Sequence, residues 1–146
     1  MAGVTPPPAW VADYIGLPFA DNGRTRDGVD CFGLLRLVLS ERFGIHLPAF
    51  AGAVVSTEDA AEIARIIRGE MQPWAEIPKG HARAGDVVLM RLRNQPCHVG
   101  LVVSPVRSGA WMLHAEVGTD SCLDSYDGAR WRGRVIGIFR YKGVGE

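Results

Sequence analysis

The sequence predicts a single α+β domain, with N-terminal helices packed on an antiparallel sheet, on three observations. Helix-type periodicity lies before residue 70, short β-rich runs lie after Gly85, and 146 residues with 47% hydrophobic content suit one core. Residues 1–8 form a proline-rich tail, and the one domain spans 1–146.

The elements follow in order. In "AWVADYIG", Trp10 with Tyr14 and Val11 with Ile15 stand at helical spacing, and Gly16 with Pro18 supplies a stop, which predicts a short first helix. The stretch "FADNGRTRDGVD" has two glycines, polar residues and no apolar period, and is expected to be a loop. Asp30 suits an N-cap. From Cys31 the apolar residues Phe32, Leu35, Val38, Leu39 and Phe43 trace one helical face, which Gly44 and Pro48 end. A third helix is predicted in "STEDAAEIARIIRGE", where Ser56 and Asp59 have capping-box spacing and arginines fall in the last turn. Strands are predicted in "DVVLMRL", "HVGLVVS", "AWMLHAE" and "VIGIFRY", each bounded by Gly, Pro, Asn or Asp. The connection between Glu116 and Val135 carries no readable pattern.

Charge and cysteine content exclude several classes of partner. Sixteen basic residues balance sixteen acidic ones and the arginines are dispersed, so neither nucleic acid nor an anionic membrane is an expected partner. The N-terminal "MAGVTPPPAW" lacks the basic start and apolar run of a signal peptide, so synthesis as a soluble cytoplasmic chain is expected. Three distant cysteines without a C-x-x-C pair argue for free thiols rather than a disulfide framework.

Three residues have the types and places that covalent catalysis needs. Cys31 opens a helix, where unpaired N–H groups and the macrodipole favour a thiolate; a buried structural thiol is the competing interpretation. His98 opens one strand and His114 lies near the far end of the next. A hairpin centred near Val106 would set the two histidines directly opposite each other, on one sheet face. A nucleophile, a base and a third group that orients the base form the usual set for an activated cysteine. Glu116, on the same strand face as His114, is the alternative third member. Cys97 neighbours His98 along the strand and points the other way, and Cys122 has no recognisable helix end or histidine beside it, so both are expected to be structural. His46 and His81 are expected to be solvated. A zinc site built from Cys31, Cys97, Cys122 and a histidine lacks the short paired ligand spacings such sites use, and neither metal nor cofactor is expected.

These residues resemble the NlpC-type cell-wall cysteine peptidases of the papain superfamily. The resemblance rests on "YIGLPF", "GVDCFGLL", "AGDVVLM", "HVGLVV" and "MLHAE", in that order, between Tyr14 and Glu116. It implies a papain-like fold and hydrolysis of a peptide bond in the peptidoglycan stem, typically D-γ-glutamyl-diamino acid. In those terms Cys31 matches the nucleophile, His98 the base, His114 the residue that orients it, and Asp30 an acid that shapes the site and reads a substrate amine. Phe19 stands where the family has a tyrosine whose hydroxyl lies near the nucleophile and is expected to line the substrate site, Asn22-Gly23 stands where it has a double glycine, and Phe32 where it often has a small residue; these departures bear on selectivity more than on the dyad. The stretch "DCFGLLRLVLSERFGIHLP" is most similar to the branch encoded by tailed phages and gene-transfer particles. That likeness implies a tail-associated peptidase carried in a virion or tail-like particle, with stem peptide and tail proteins as partners. A tail or adaptor protein that binds stem peptide without turnover, and an amide-forming acyltransferase, are the alternatives.

Overall fold

In a computed structural model, residues 6–20, 23–46, 74–92, 95–116 and 118–142 are described. The helix predicted over residues 56–70 lies outside them. Two short strands, β1 (Arg24–Thr25) and β2 (Gly28–Val29), precede the helix α1 (Cys31–Phe43), and a six-stranded sheet follows. Its strands are β3 (Trp74–Ile77), β4 (Val87–Leu92), β5 (Gln95–Val102), β6 (Trp111–Glu116), β7 (Thr119–Ser125) and β8 (Val135–Tyr141). They lie in the order β3-β8-β4-β5-β6-β7, every neighbouring pair antiparallel.

Helix α1 begins and ends where its capping residues require. The Asp30 carboxylate accepts from the Gly33 N–H at 2.7 Å, and Gly44, at φ 66°, takes the left-handed conformation that closes the last turn. Between them Phe32, Leu34, Leu35, Val38 and Leu39 are buried. They pack with Val87, Leu89, Val99, Leu101, Leu113 and Ala115, so α1 covers one face of the sheet across β5 and β6. The other face is closed by Trp131 and Tyr126 over Val88, Met90, Val102 and Met112. Strand alternation sorts the two sets, because successive side chains point to opposite faces.

Three local expectations need correction. The first helix is a 3-10 helix, Ala9–Tyr14. Six residues behind a run of prolines are too few to offset α-helix nucleation, and the segment is held by its rings instead. Trp10 meets Tyr14 and Phe43 edge-on at 5.9 and 6.0 Å. The expected loop before Cys31 folds into the β1–β2 hairpin, in which Arg24 pairs with Val29 and Thr25 with Gly28. The unreadable connection contains β7, and the short edge strand β3 was not foreseen either.

The α1 face carries the main core, and a cavity there should be costly. Leu35 is 1% exposed. Leu35→Ala is expected to lower unfolding stability by about 2–5 kcal/mol in denaturant titration, with the slope unchanged. A loss under about 1 kcal/mol would mean that α1 contributes little to the folded state.

Candidate active site

Two tethers bring the N-terminus of α1 to the sheet end that carries the histidines. At its C-terminal end, α1 places Phe43 against Gly85, whose N–H donates to the Val102 carbonyl at the far end of β5 from His98. Thirteen residues of helix span about 20 Å, so its other end reaches back toward the start of β5. The chain that leads into Cys31 is fastened at that end. Gly16 N–H donates to the Ser121 carbonyl, Ser121 N–H to the Leu17 carbonyl, and Leu17 N–H to Ser121 Oγ, all within 2.9 Å. Phe19 then bridges to Val29, two residues before Cys31. Ser121 neighbours Cys122, and Cys122 pairs with His114.

His98 and His114 meet, although not by the register expected. In the ladder Leu101 faces Leu113 and Val102 faces Met112, which sets the hairpin's centre one residue later than Val106. The turn accounts for this. It holds a 3-10 turn over Val106–Ser108, followed by Gly109 and Ala110, both at positive φ. His114 is therefore a diagonal rather than a direct neighbour of His98. The offset is two residues, so both side chains keep the same face, and diagonal neighbours remain within reach of a ring. Nε2 of His98 lies 2.9 Å from Nδ1 of His114.

The chain of contacts continues to residues that sequence reasoning missed. His114 Nε2 lies 2.9 Å from Asp124 Oδ2, and the indole N–H of Trp131 donates to the same oxygen at 3.1 Å. Trp131 also stacks on His98, rings 5.4 Å apart and 19° from parallel, and meets His114 edge-on. Arg130 donates to Glu116 at 2.6 Å and stands 3.7 Å from Asp124. Glu116 is thus engaged by Arg130, while His114 bonds His98. Contrary to the expectation that no histidine stands beside it, Cys122 has Sγ 3.7 Å from His114 Nε2. Asp124 and Cys122 could be found only once β7 was known to be a strand, since two-residue spacing then puts both on the face of His114.

Cys31 opens α1 half-buried, packed against the α1-side core, and Asp30 is buried as its cap. Phe19 is half-buried against the same core. His98 and His114 point to the opposite sheet face, where Trp131 lies.

The hydrogen bonds assign the protons. A carboxylate only accepts, so when both rings are neutral His114 carries its proton on Nε2 and offers the Nδ1 lone pair. That lone pair requires the His98 proton on Nε2. His98 Nδ1 is then left with a lone pair, the form in which a ring can take a proton from a thiol.

The sequence pattern of the NlpC/P60 family matches residues 16–140. The chain belongs to the NlpC/P60 family. Two curated relatives extend the likeness: the murein DD-endopeptidase MepS/murein LD-carboxypeptidase of Escherichia coli, 25% identical over 84% of this chain and 55% of its own length, and the probable endopeptidase NlpC homolog of Haemophilus influenzae, 27% identical over 82% and 52%. The chain spans about half the length of these relatives. A solved NlpC/P60 protein of Bacillus cereus shares the fold, with TM-score 0.63 and 18% identity, over 93% of this chain and 41% of its own. The α+β, papain-like architecture expected from the sequence is the one observed, a helix on a six-stranded antiparallel NlpC/P60 sheet.

Burial, the neighbouring His114 and Arg130 together push His98 from its ordinary 6.5 to about 3. Between those values the unfolded chain binds a proton that the folded NlpC/P60 domain refuses, so stability falls as pH drops from about 6.5 toward 3 and is fully regained above 6.5. Thermal midpoints of the wild type between pH 7 and 4 are expected to fall more steeply than those of His98→Gln. Parallel slopes would show that His98 takes up its proton while folded.

Proposed function

We propose that this NlpC/P60 domain is a cysteine peptidase that hydrolyses a peptide bond in the peptidoglycan stem, with Cys31 as nucleophile, His98 as base and His114 as the group that orients the base. The observation that carries this reading is the proton-ordered chain His98–His114–Asp124, which leaves a lone pair on His98 Nδ1 at the sheet end toward which Cys31 is tethered. The names of the E. coli and Haemophilus relatives, an endopeptidase of murein and a probable endopeptidase, support the substrate class.

In this mechanism His98 Nδ1 takes the Cys31 proton as sulfur attacks the amide carbonyl. Backbone N–H groups at the start of α1 hold the oxyanion, and protonated His98 gives its proton to the leaving amine. Water then cleaves the thioester with His98 again as base. Burial keeps His98 neutral at rest, so it charges only beside a thiolate or an oxyanion that compensates it. Asp124 acts as a positioning residue by holding His114 in the tautomer that the chain needs. By the same resemblance we propose D-γ-glutamyl-diamino acid as the scissile bond, Asp30 and Phe19 as substrate contacts and, on "DCFGLLRLVLSERFGIHLP", association with a phage-like tail.

Incubation with defined muropeptides and mass analysis tests the reaction. Fragments that gain one water support hydrolysis, new amide linkages would make the chain an acyltransferase, and binding without products would make it an adaptor. Cys31→Ser is expected to abolish turnover, and a small electrophile to label Cys31 first; an adduct chiefly on Cys97 or Cys122 would overturn the assignment.

A positioned acid–base group contributes about 10²–10⁴-fold to rate. Asp124→Asn, whose amide can donate to His114 and admit the opposite tautomer, is therefore expected to lower kcat by about 10²-fold with KM little changed. A change confined to KM would assign Asp124 to substrate binding instead.

A further inference from the structure

We propose that His114, Cys122 and Asp124 form a binding site for a thiophilic divalent cation of the zinc class, and that its occupancy switches off the base by reversing the tautomers of His114 and His98. The inhibitory half of this proposal rests on the peptidase reading above; the binding half does not.

The ligand atoms are already assembled. Nε2 of His114, Sγ of Cys122 and a carboxylate oxygen of Asp124 all lie within 4.8 Å of one another. A tetrahedral zinc ion with Zn–N of about 2.0–2.1 Å and Zn–S of about 2.3 Å sets nitrogen and sulfur about 3.6 Å apart. Here they stand at 3.7 Å. The nitrogen-to-oxygen separation, 2.9 Å, is a hydrogen-bond length and would open by about 0.5 Å when the metal replaces the proton. Rigidity favours the site, because His114 and Cys122 are paired across β6 and β7 and Asp124 follows two residues on. Entry is open, since Cys122 is half-buried and the Asp124 side chain is 34% exposed. Three protein ligands leave a fourth position for water. Arg130, with Nη1 3.7 Å from Asp124 Oδ2, opposes a cation at this site, but its charge is shared with Glu116.

The consequence follows from the protons. Binding releases one proton, from the Cys122 thiol, and the metal takes the Nε2 lone pair of His114. The neutral His114 ring must then carry its proton on Nδ1, where it donates to His98 Nε2. His98 in turn holds its own proton on Nδ1. That nitrogen can no longer accept one from Cys31.

Cobalt(II) titration of the full chain under reducing conditions tests the site, with zinc(II) competition and no substrate present. The expected result is one equivalent bound in tetrahedral coordination with a thiolate-to-cobalt charge-transfer band. The band should persist in Cys31→Ser and Cys97→Ser and disappear in both Cys122→Ser and Cys122→Ala. Loss in Cys31→Ser with retention in the Cys122 variants, an unchanged band in all variants, or no binding by the folded wild type would each overturn the proposal. Muropeptide turnover by the metal-free wild type reports separately on the peptidase reading. If turnover occurs, one equivalent of zinc is expected to lower it at least tenfold in the wild type and less than twofold, relative to its own metal-free rate, in Cys122→Ala. Equal inhibition of both would overturn the tautomer switch while leaving the peptidase reading intact.

Discussion

With both rings neutral, the hydrogen bond from His114 to Asp124 sets the direction of every proton that follows it. An imidazole can present either nitrogen as donor, and two imidazoles in series can be ordered in two opposite ways. An acceptor-only carboxylate at one end removes that freedom. The Trp131 indole N–H and the Arg130 guanidinium, both directed at Asp124, reinforce its acceptor role. The side chain of His114 is fully buried, so the ordering is made in a low-dielectric environment where an unpaired ring nitrogen would be costly.

The site is assembled at an edge of the architecture. Helix α1 lies on one face of the sheet and the histidines on the other, and the strands between them are packed on both sides. The end of the sheet is where the two faces meet, and Ser121 is the fastening there. Its hydroxyl accepts from Leu17 N–H and donates to the Tyr14 carbonyl at 2.6 Å, while its backbone ties Gly16 and Leu17. One edge strand, β7, thus anchors the chain before Cys31 from one face and supplies Cys122 and Asp124 to the other. Its alternation does both tasks at once.

That strand also explains what could and could not be read in the sequence. Helix α1 was legible from Asp30 to Gly44 because capping chemistry and apolar period agree over the same residues. Strands β4, β5 and β8 were legible because they carry β-branched residues between turn residues, and β6 because a short apolar run with an aromatic, Trp111 to Leu113, follows the turn residues Ser108 and Gly109. The sequence of β7, "TDSCLDS", has neither signal, since an edge strand with two exposed residues and several half-buried ones needs no apolar alternation. Losing β7 meant losing Asp124 and misjudging Cys122. The pairing of His98 with His114 survived an error in register only because the error was an even number of residues; the turn with Gly109 and Ala110 at positive φ fixes that register, and neither residue marks it unambiguously in advance.

Nitrogen-15 chemical shifts of the histidine side chains at neutral pH give the most direct measure of this ordering, since protonated and bare ring nitrogens are well separated and each ring can be assigned by substituting the other. The account expects His114 protonated on Nε2 and bare on Nδ1, and His98 protonated on Nε2 and bare on Nδ1. Finding His98 with its proton on Nδ1 and a bare Nε2 in the metal-free protein would contradict it, because the nitrogen left to serve Cys31 would then have no lone pair to offer.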